Sequence, residues 1–135
     1  MRPGLYPLVL TLAATSHSAM AQAPASAGEE LFERKIRPVL VTKCFACHSS
    51  NLKSPMGGFT VDTKAGLAAG GARGPEVVAG KPDESRILHA LSYTDNALQM
   101  PPTGKLPDAV IADFRQWIEL GAPDPRKDAD RKSVV

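Results

Sequence analysis

Both cysteines of this 135-residue chain stand inside one five-residue run, Cys44-Phe45-Ala46-Cys47-His48. With no other cysteine available, neither a disulfide framework nor a four-cysteine zinc site can be built. The fold must then rest on a hydrophobic core, and that core is short of bulk, because only 5% of the residues are aromatic. A single small domain normally fills its centre with large side chains. The length allows one domain with tails and excludes a barrel enzyme or a two-domain dehydrogenase. A charged fraction of 22% is ordinary for a soluble protein and argues against wholesale disorder. The balance of 16 basic against 14 acidic residues argues against a nucleic-acid partner held by phosphate neutralisation.

A C-x-x-C-H run is the attachment signature of a c-type haem. Two thiols three positions apart on a helical turn reach two edges of one ring, each adding to a vinyl group. The adjacent histidine then lies under the iron and supplies the proximal nitrogen. Cys44, Cys47 and His48 are therefore the candidate cofactor-binding residues, and one covalently bound haem c is the expected cofactor. Such a ring would also be the large aromatic body that the composition lacks. Two other readings lack context. A thioredoxin-like pair needs a βαβ framework that this sequence does not show. Zinc needs four ligands, and once the leader is removed His89 is the only nitrogen or sulfur candidate beyond Cys44, Cys47 and His48. Adjacent Cys47 and His48 cannot readily both reach a metal held by Cys44.

Residues 1–21 read as a secretory signal, with Arg2 in the n-region, an apolar run from Leu5 to Ala14, and Ala19-Met20-Ala21 as a cleavage site. The apolar run is shorter than the roughly 20 residues of a membrane span. Cleavage after Ala23 also fits. The mature protein is expected to be exported to a periplasmic or equivalent compartment, with no stable membrane insertion. Residues 22–28 are small and polar, a flexible lead-in; the domain proper is expected over 29–123, and 124–135 as a disordered tail or linker.

Within the domain, Phe32, Ile36, Val39 and Leu40 form an apolar stripe on a helix running to Cys44, with a kink or restart expected at Pro38. Residues 49–58 read as a loop, Phe59 to Asp62 as a short extended piece, and Thr63 to Ala69 as a brief helix stopped by Gly70-Gly71. A further helix is expected to open with Lys81-Pro82-Asp83-Glu84-Ser85 and to bury Ile87, Leu88 and Leu91. The terminal helix starts at Pro107-Asp108 and ends at Gly121, with Val110, Ile111, Phe114, Trp117 and Ile118 on one face. The fold class is all-α.

A second axial ligand has three candidates. Met100 lies in the loop before the terminal helix, stiffened by Pro101 and Pro102. Met56 sits in the loop after the attachment run, and His89 falls on the solvent side of its helix. Met100 is the preferred one. Methionine with histidine raises the iron's reduction potential and closes its coordination sphere, which favours electron transfer over oxygen chemistry. No Ser/His/Asp set, phosphate loop or acid pair competes.

With these features together, the chain resembles class I cytochromes c, and more closely the planctomycete-type cytochrome c domain. The resemblance is carried by Lys35-Ile36-Arg37-Pro38-Val39-Leu40, the Cys44–His48 run, Gly57-Gly58-Phe59, Gly70-Gly71, Pro75, Gly80 to Ser85, Met100-Pro101-Pro102, and Trp117 to Pro123. It implies an all-helical fold wrapped around one haem, with the first and last helices crossing near Phe32 and Trp117. It also implies that Cys44, Cys47 and His48 bind the haem and that His48 and Met100 ligate its iron. The implied role is a monohaem electron carrier, not an enzyme, serving redox partner proteins. The alternatives are the front haem module of a larger enzyme, or a haem-based ligand sensor in which Met100 leaves the iron.

Overall fold

The computed structural model describes residues 25–128, so the expected signal segment (1–21), residues 22–24 of the expected lead-in and residues 129–135 lie outside the described region. Helix α1 (Ala27–Leu31) is opened by a capping box: Ser26 Oγ accepts from Glu29 N–H, and Glu29 returns the bond to the Ser26 N–H at 2.7 Å. The helix continues without a break through a wide turn (Phe32–Ile36), α2 (Arg37–Val39) and a second wide turn (Leu40–Cys44). The expected disturbance at Pro38 takes this form. Pro38 has no N–H to donate within this continuous helix, and the ladder widens just before it: Arg37 N–H reaches back five residues to Phe32 O. The 27–44 helix thus delivers Cys44 directly from its last turn.

Helix α3 (Lys64–Ala69) is capped by Thr63, whose Oγ accepts from Gly66 N–H. The expected helix from Lys81 is split. A single turn (Pro82–Glu84) stops at Ser85, whose backbone is extended, and α4 (Arg86–Ser92) begins afterwards. Ser85 is fully buried, and its hydroxyl accepts from Val78 N–H at 2.9 Å and donates to Lys81 O at 2.9 Å. That long-range use of the side chain is what interrupts the helix. Helix α5 (Asp108–Glu119) follows the expected bounds, and Gly121, at φ +94°, turns the chain out of it.

The core lies between the 27–44 helix and α5. Phe32 and Trp117 are fully buried with ring centroids 5.7 Å apart, and Phe114 meets Trp117 edge-on at 6.3 Å. This is the crossing that the resemblance implies. Gly28 permits it, since a Cβ there would stand 2.5 Å from Pro123 Cγ. Trp117 Nε1 donates to Pro123 O at 2.9 Å, so the one polar atom of the central ring is satisfied. Ile36, Leu40 and Ile118 complete this layer; Ile87, Leu88 and Leu91 of α4 join it from the side.

No sheet exists among the described residues; isolated bridges at Gly71–Gly74 and Asp95–Leu98 close tight turns. The extended piece near 58–62 bonds to the attachment run instead of to another strand. The assignment of a free tail from residue 124 does not hold for its first five residues. Arg126 is buried, and Asp128 Oδ1 accepts from Ala65 N–H at 3.1 Å.

Candidate functional site

A cavity of about 350 Å³ opens between the end of the 27–44 helix, α4 and the 92–106 loop. Cys44, Cys47, His48 and Met100 all line it, so the four residues singled out from the sequence share one wall system. The remainder is largely apolar: Leu40, Phe59, Ile87, Leu91 and Phe114 face it, which suits a flat hydrophobic ring. Among the described residues no group of three or more His, Cys, Asp or Glu side chains is gathered as a metal site would require.

The attachment run is a turn that ends the helix. Phe45 N–H reaches Leu40 O at 3.0 Å, and His48 N–H and Cys47 N–H both fold back on Cys44 O at 2.9 and 3.1 Å. The turn places Cys44 half-buried and Cys47 exposed, with the two thiols unbridged. Burial, reinforced by the neighbouring Cys47, pushes the Cys44 thiol up to about 11, so it is a neutral thiol at pH 7.

His48 is fixed twice. Its carbonyl accepts from Val61 N–H at 2.8 Å, and its ring Nδ1 lies 3.1 Å from Phe59 O. A carbonyl oxygen can only accept, so Nδ1 is the donor of this bond, and in the neutral ring the lone pair lies on Nε2. The Phe59 ring packs edge-on against the imidazole at 5.6 Å. The next turn is locked by Asp62. Burial alone would raise its pKa, but the Ser50 hydroxyl at 2.7 Å, the Ser50 N–H at 2.9 Å and the Ser49 hydroxyl at 3.1 Å outweigh this and hold it below the ordinary value.

Met100 comes from the opposite end of the sequence. Its N–H donates to Ala90 O of α4 at 3.1 Å, and the Tyr93 hydroxyl donates to the carbonyl of Pro101. Tyr93 ends α4 in a left-handed conformation at φ +59°, which turns its side chain towards the Met-Pro-Pro loop. The other two axial candidates are placed differently. Met56 also lines the cavity, but it is 57% exposed and its N–H is tied to Cys47 O at 2.9 Å, so its backbone belongs to the attachment run. His89 is exposed outside the cavity, with Nε2 2.9 Å from Asp83 O.

Residues 44–104 match the family model described as planctomycete cytochrome C. That span runs from the first cysteine of the attachment turn past the Met-Pro-Pro loop. Residues 44–104 form a planctomycete cytochrome C domain. Membership implies a haem electron carrier, and the Cys44/Cys47 pair is compatible with covalent haem attachment. No curated protein and no solved structure matches the chain.

Sequence reasoning missed several residues on the walls of this cytochrome c domain. Arg73, Glu76 and Arg86 line the same cavity, with Arg86 Nε 3.6 Å from Glu76 Oε2. Arg86 opens α4, and nothing in the local pattern distinguishes it from a surface arginine. Phe59 reads as the start of a short extended piece, yet its carbonyl is what bonds the histidine.

Proposed function

We propose that this chain is an exported monohaem cytochrome c that passes single electrons through a haem bound by Cys44 and Cys47 and ligated by His48 and Met100. The observation that carries the reading is the hydrogen bond from His48 Nδ1–H to Phe59 O, facing a cavity that Cys44, Cys47 and Met100 share. Carbonyl-bonded imidazole is the arrangement a metal-ligating histidine needs: the bond sets the tautomer, fixes the ring and raises the basicity of Nε2. A bound haem iron supplies one-electron exchange between ferric and ferrous states.

The protein's own residues supply the rest. The two thiols would hold the ring, and the apolar wall of Leu40, Ile87, Leu91 and Phe114 would exclude water from it. Arg86, at the start of α4, and Arg73, in the turn bonded to Gly57, line the wall and would meet the ring's carboxylates, with Glu76 holding Arg86 in place. Met100, rather than Met56 or His89, suits the second axial position. Both methionines line the cavity, but Met100 is tied to Ala90 of α4, whereas Met56 is 57% exposed with its N–H bonded to Cys47 O beside His48; His89 lies outside.

The test is expression with its leader in a host that matures c-type cytochromes, followed by mass and spectrum of the exported protein. One covalent haem and a low-spin spectrum with the weak near-infrared band of methionine–ferric coordination are expected. A mass without haem removes the reading altogether. A high-spin ferric spectrum at neutral pH overturns the closed-site carrier and favours a ligand sensor.

A further inference from the structure

Residues 123–128 lie beyond the matched span 44–104, yet they are bonded to the part of the molecule that holds His48. Arg126 is 7% exposed. Its Nε and Nη2 grip Asp124 at 2.9 and 2.6 Å, and its guanidinium carbon lies 5.0 Å from the centre of the Phe32 ring. The charge is thus neutralised within its own segment, as a buried ion requires. The third nitrogen points elsewhere: Nη1 donates to Val61 O at 2.8 Å.

Val61 is itself buried, and its N–H donates to His48 O. Two residues earlier, Phe59 O receives the His48 ring proton. Residues 59–61 therefore form a short strip that grips His48 at both ends, and Arg126 grips the strip from behind. The clasp is anchored on each side, by Trp117 Nε1 on Pro123 O and by Ala65 N–H on Asp128.

We infer that Arg126 is a positioning residue for His48: by fixing Val61 it keeps the Phe59 carbonyl where the imidazole N–H needs its acceptor. The inference rests on the reading of His48 as an iron ligand. A well-held acceptor raises the basicity of the ligating nitrogen and favours ferric iron, so loosening it raises the reduction potential.

The experiment compares full-length haem-loaded protein with its Arg126→Met and Arg126→Lys variants. Methionine keeps packing against Phe32 without donating; lysine keeps one charged donor. The expected result is a higher midpoint potential and faster solvent exchange of the His48 Nδ1 proton in Arg126→Met, with both partly restored in Arg126→Lys. A folded Arg126→Met protein with unchanged potential and unchanged exchange overturns the inference and leaves Arg126 a structural clasp. A second measurement needs no variant. In the unaltered protein at rising denaturant, the Arg126 Nη1 protons, the Val61 N–H and the His48 Nδ1 proton are expected to exchange through one common opening. Release of the Arg126 protons while the His48 proton stays protected overturns the inference. If the chain carries no haem, the electron-carrier reading fails on that count, and the exchange comparison on haem-free protein still decides the role of Arg126.

Discussion

The two walls of the cavity are built in different ways. On the histidine side, residues 44–62 are knit by bonds reaching across the loop: Met56 N–H to Cys47 O, Val61 N–H to His48 O, the His48 ring to Phe59 O, and Asp62 to Ser49 and Ser50. On the methionine side, residues 92–106 rely on Met100 N–H to Ala90 O, the Tyr93 hydroxyl to Pro101, and turns closed within the loop itself. On the proposed reading, the difference matches the chemistry that each wall would hold. Imidazole is a strong ligand whose orientation and tautomer must be set in advance, so a rigid frame is useful. A thioether is a weak ligand, and the loop that carries it determines whether the iron is closed or open.

Breaking the first wall should have the largest effect. In His48→Ala the proposed proximal nitrogen would be lost together with its bond to Phe59 O, and the low-spin spectrum should vanish while the Cys44 and Cys47 thiols remain. The visible spectrum and mass of the exported variant check this; a spectrum like that of the parent would show that the ligand lies elsewhere. Breaking the second wall should be milder and of a different kind. Met100→Ala should retain covalent haem, lower the reduction potential and let carbon monoxide bind the ferrous iron. The carbon monoxide difference spectrum and a potentiometric titration measure both changes, and an unchanged pair would acquit Met100.

Acid should loosen the histidine wall before any change at the methionine. The folded-state pKa of Asp62 lies below its ordinary value, so its contribution to stability is full above the unfolded pKa near 3.8 and is lost as pH falls through the lower folded value. Asp62→Asn should therefore flatten the acid limb of the stability curve and cost about 1 kcal/mol at neutral pH, as expected for partly exposed charge-assisted hydrogen bonds. Denaturant titrations at pH 3 and pH 7 provide the check. An acid limb as steep in Asp62→Asn as in the parent would place that sensitivity elsewhere.

What could be read from the sequence divides along the same physical line. The attachment run, the Met-Pro-Pro loop and α5 are local patterns: their spacing, periodicity and flanking Pro and Gly are enough to place them. The Phe32–Trp117 crossing came through family resemblance. The features that escaped depend on contacts between distant residues. Ser85 interrupts a well-formed helix start because its hydroxyl serves Val78, seven residues back. Phe59 bonds the histidine through a backbone carbonyl, which no side-chain pattern can reveal. Residues 124–128 have the composition of a linker, yet Arg126 closes on Val61, 65 positions earlier in the chain. Charged and proline-rich segments read as tails because their local preferences are weak, not because they lack partners.

The smallest expected effect tests whether the methionine wall depends on so few bonds. Tyr93 is half-buried, and its hydroxyl donates to Pro101 O next to Met100. Tyr93→Phe removes one hydrogen bond while keeping the ring, which should cost about 1 kcal/mol of stability. If the loop were held by many contacts, that loss would be absorbed with no change at the iron. With few anchors, it should appear as weaker thioether coordination: the methionine–ferric near-infrared band should fade at a lower temperature than in the parent, while the bands that report His48 persist. An identical thermal profile of that band would mean that packing of Met100 and Pro101 against α4, and not the Tyr93 hydroxyl, sets the second axial position.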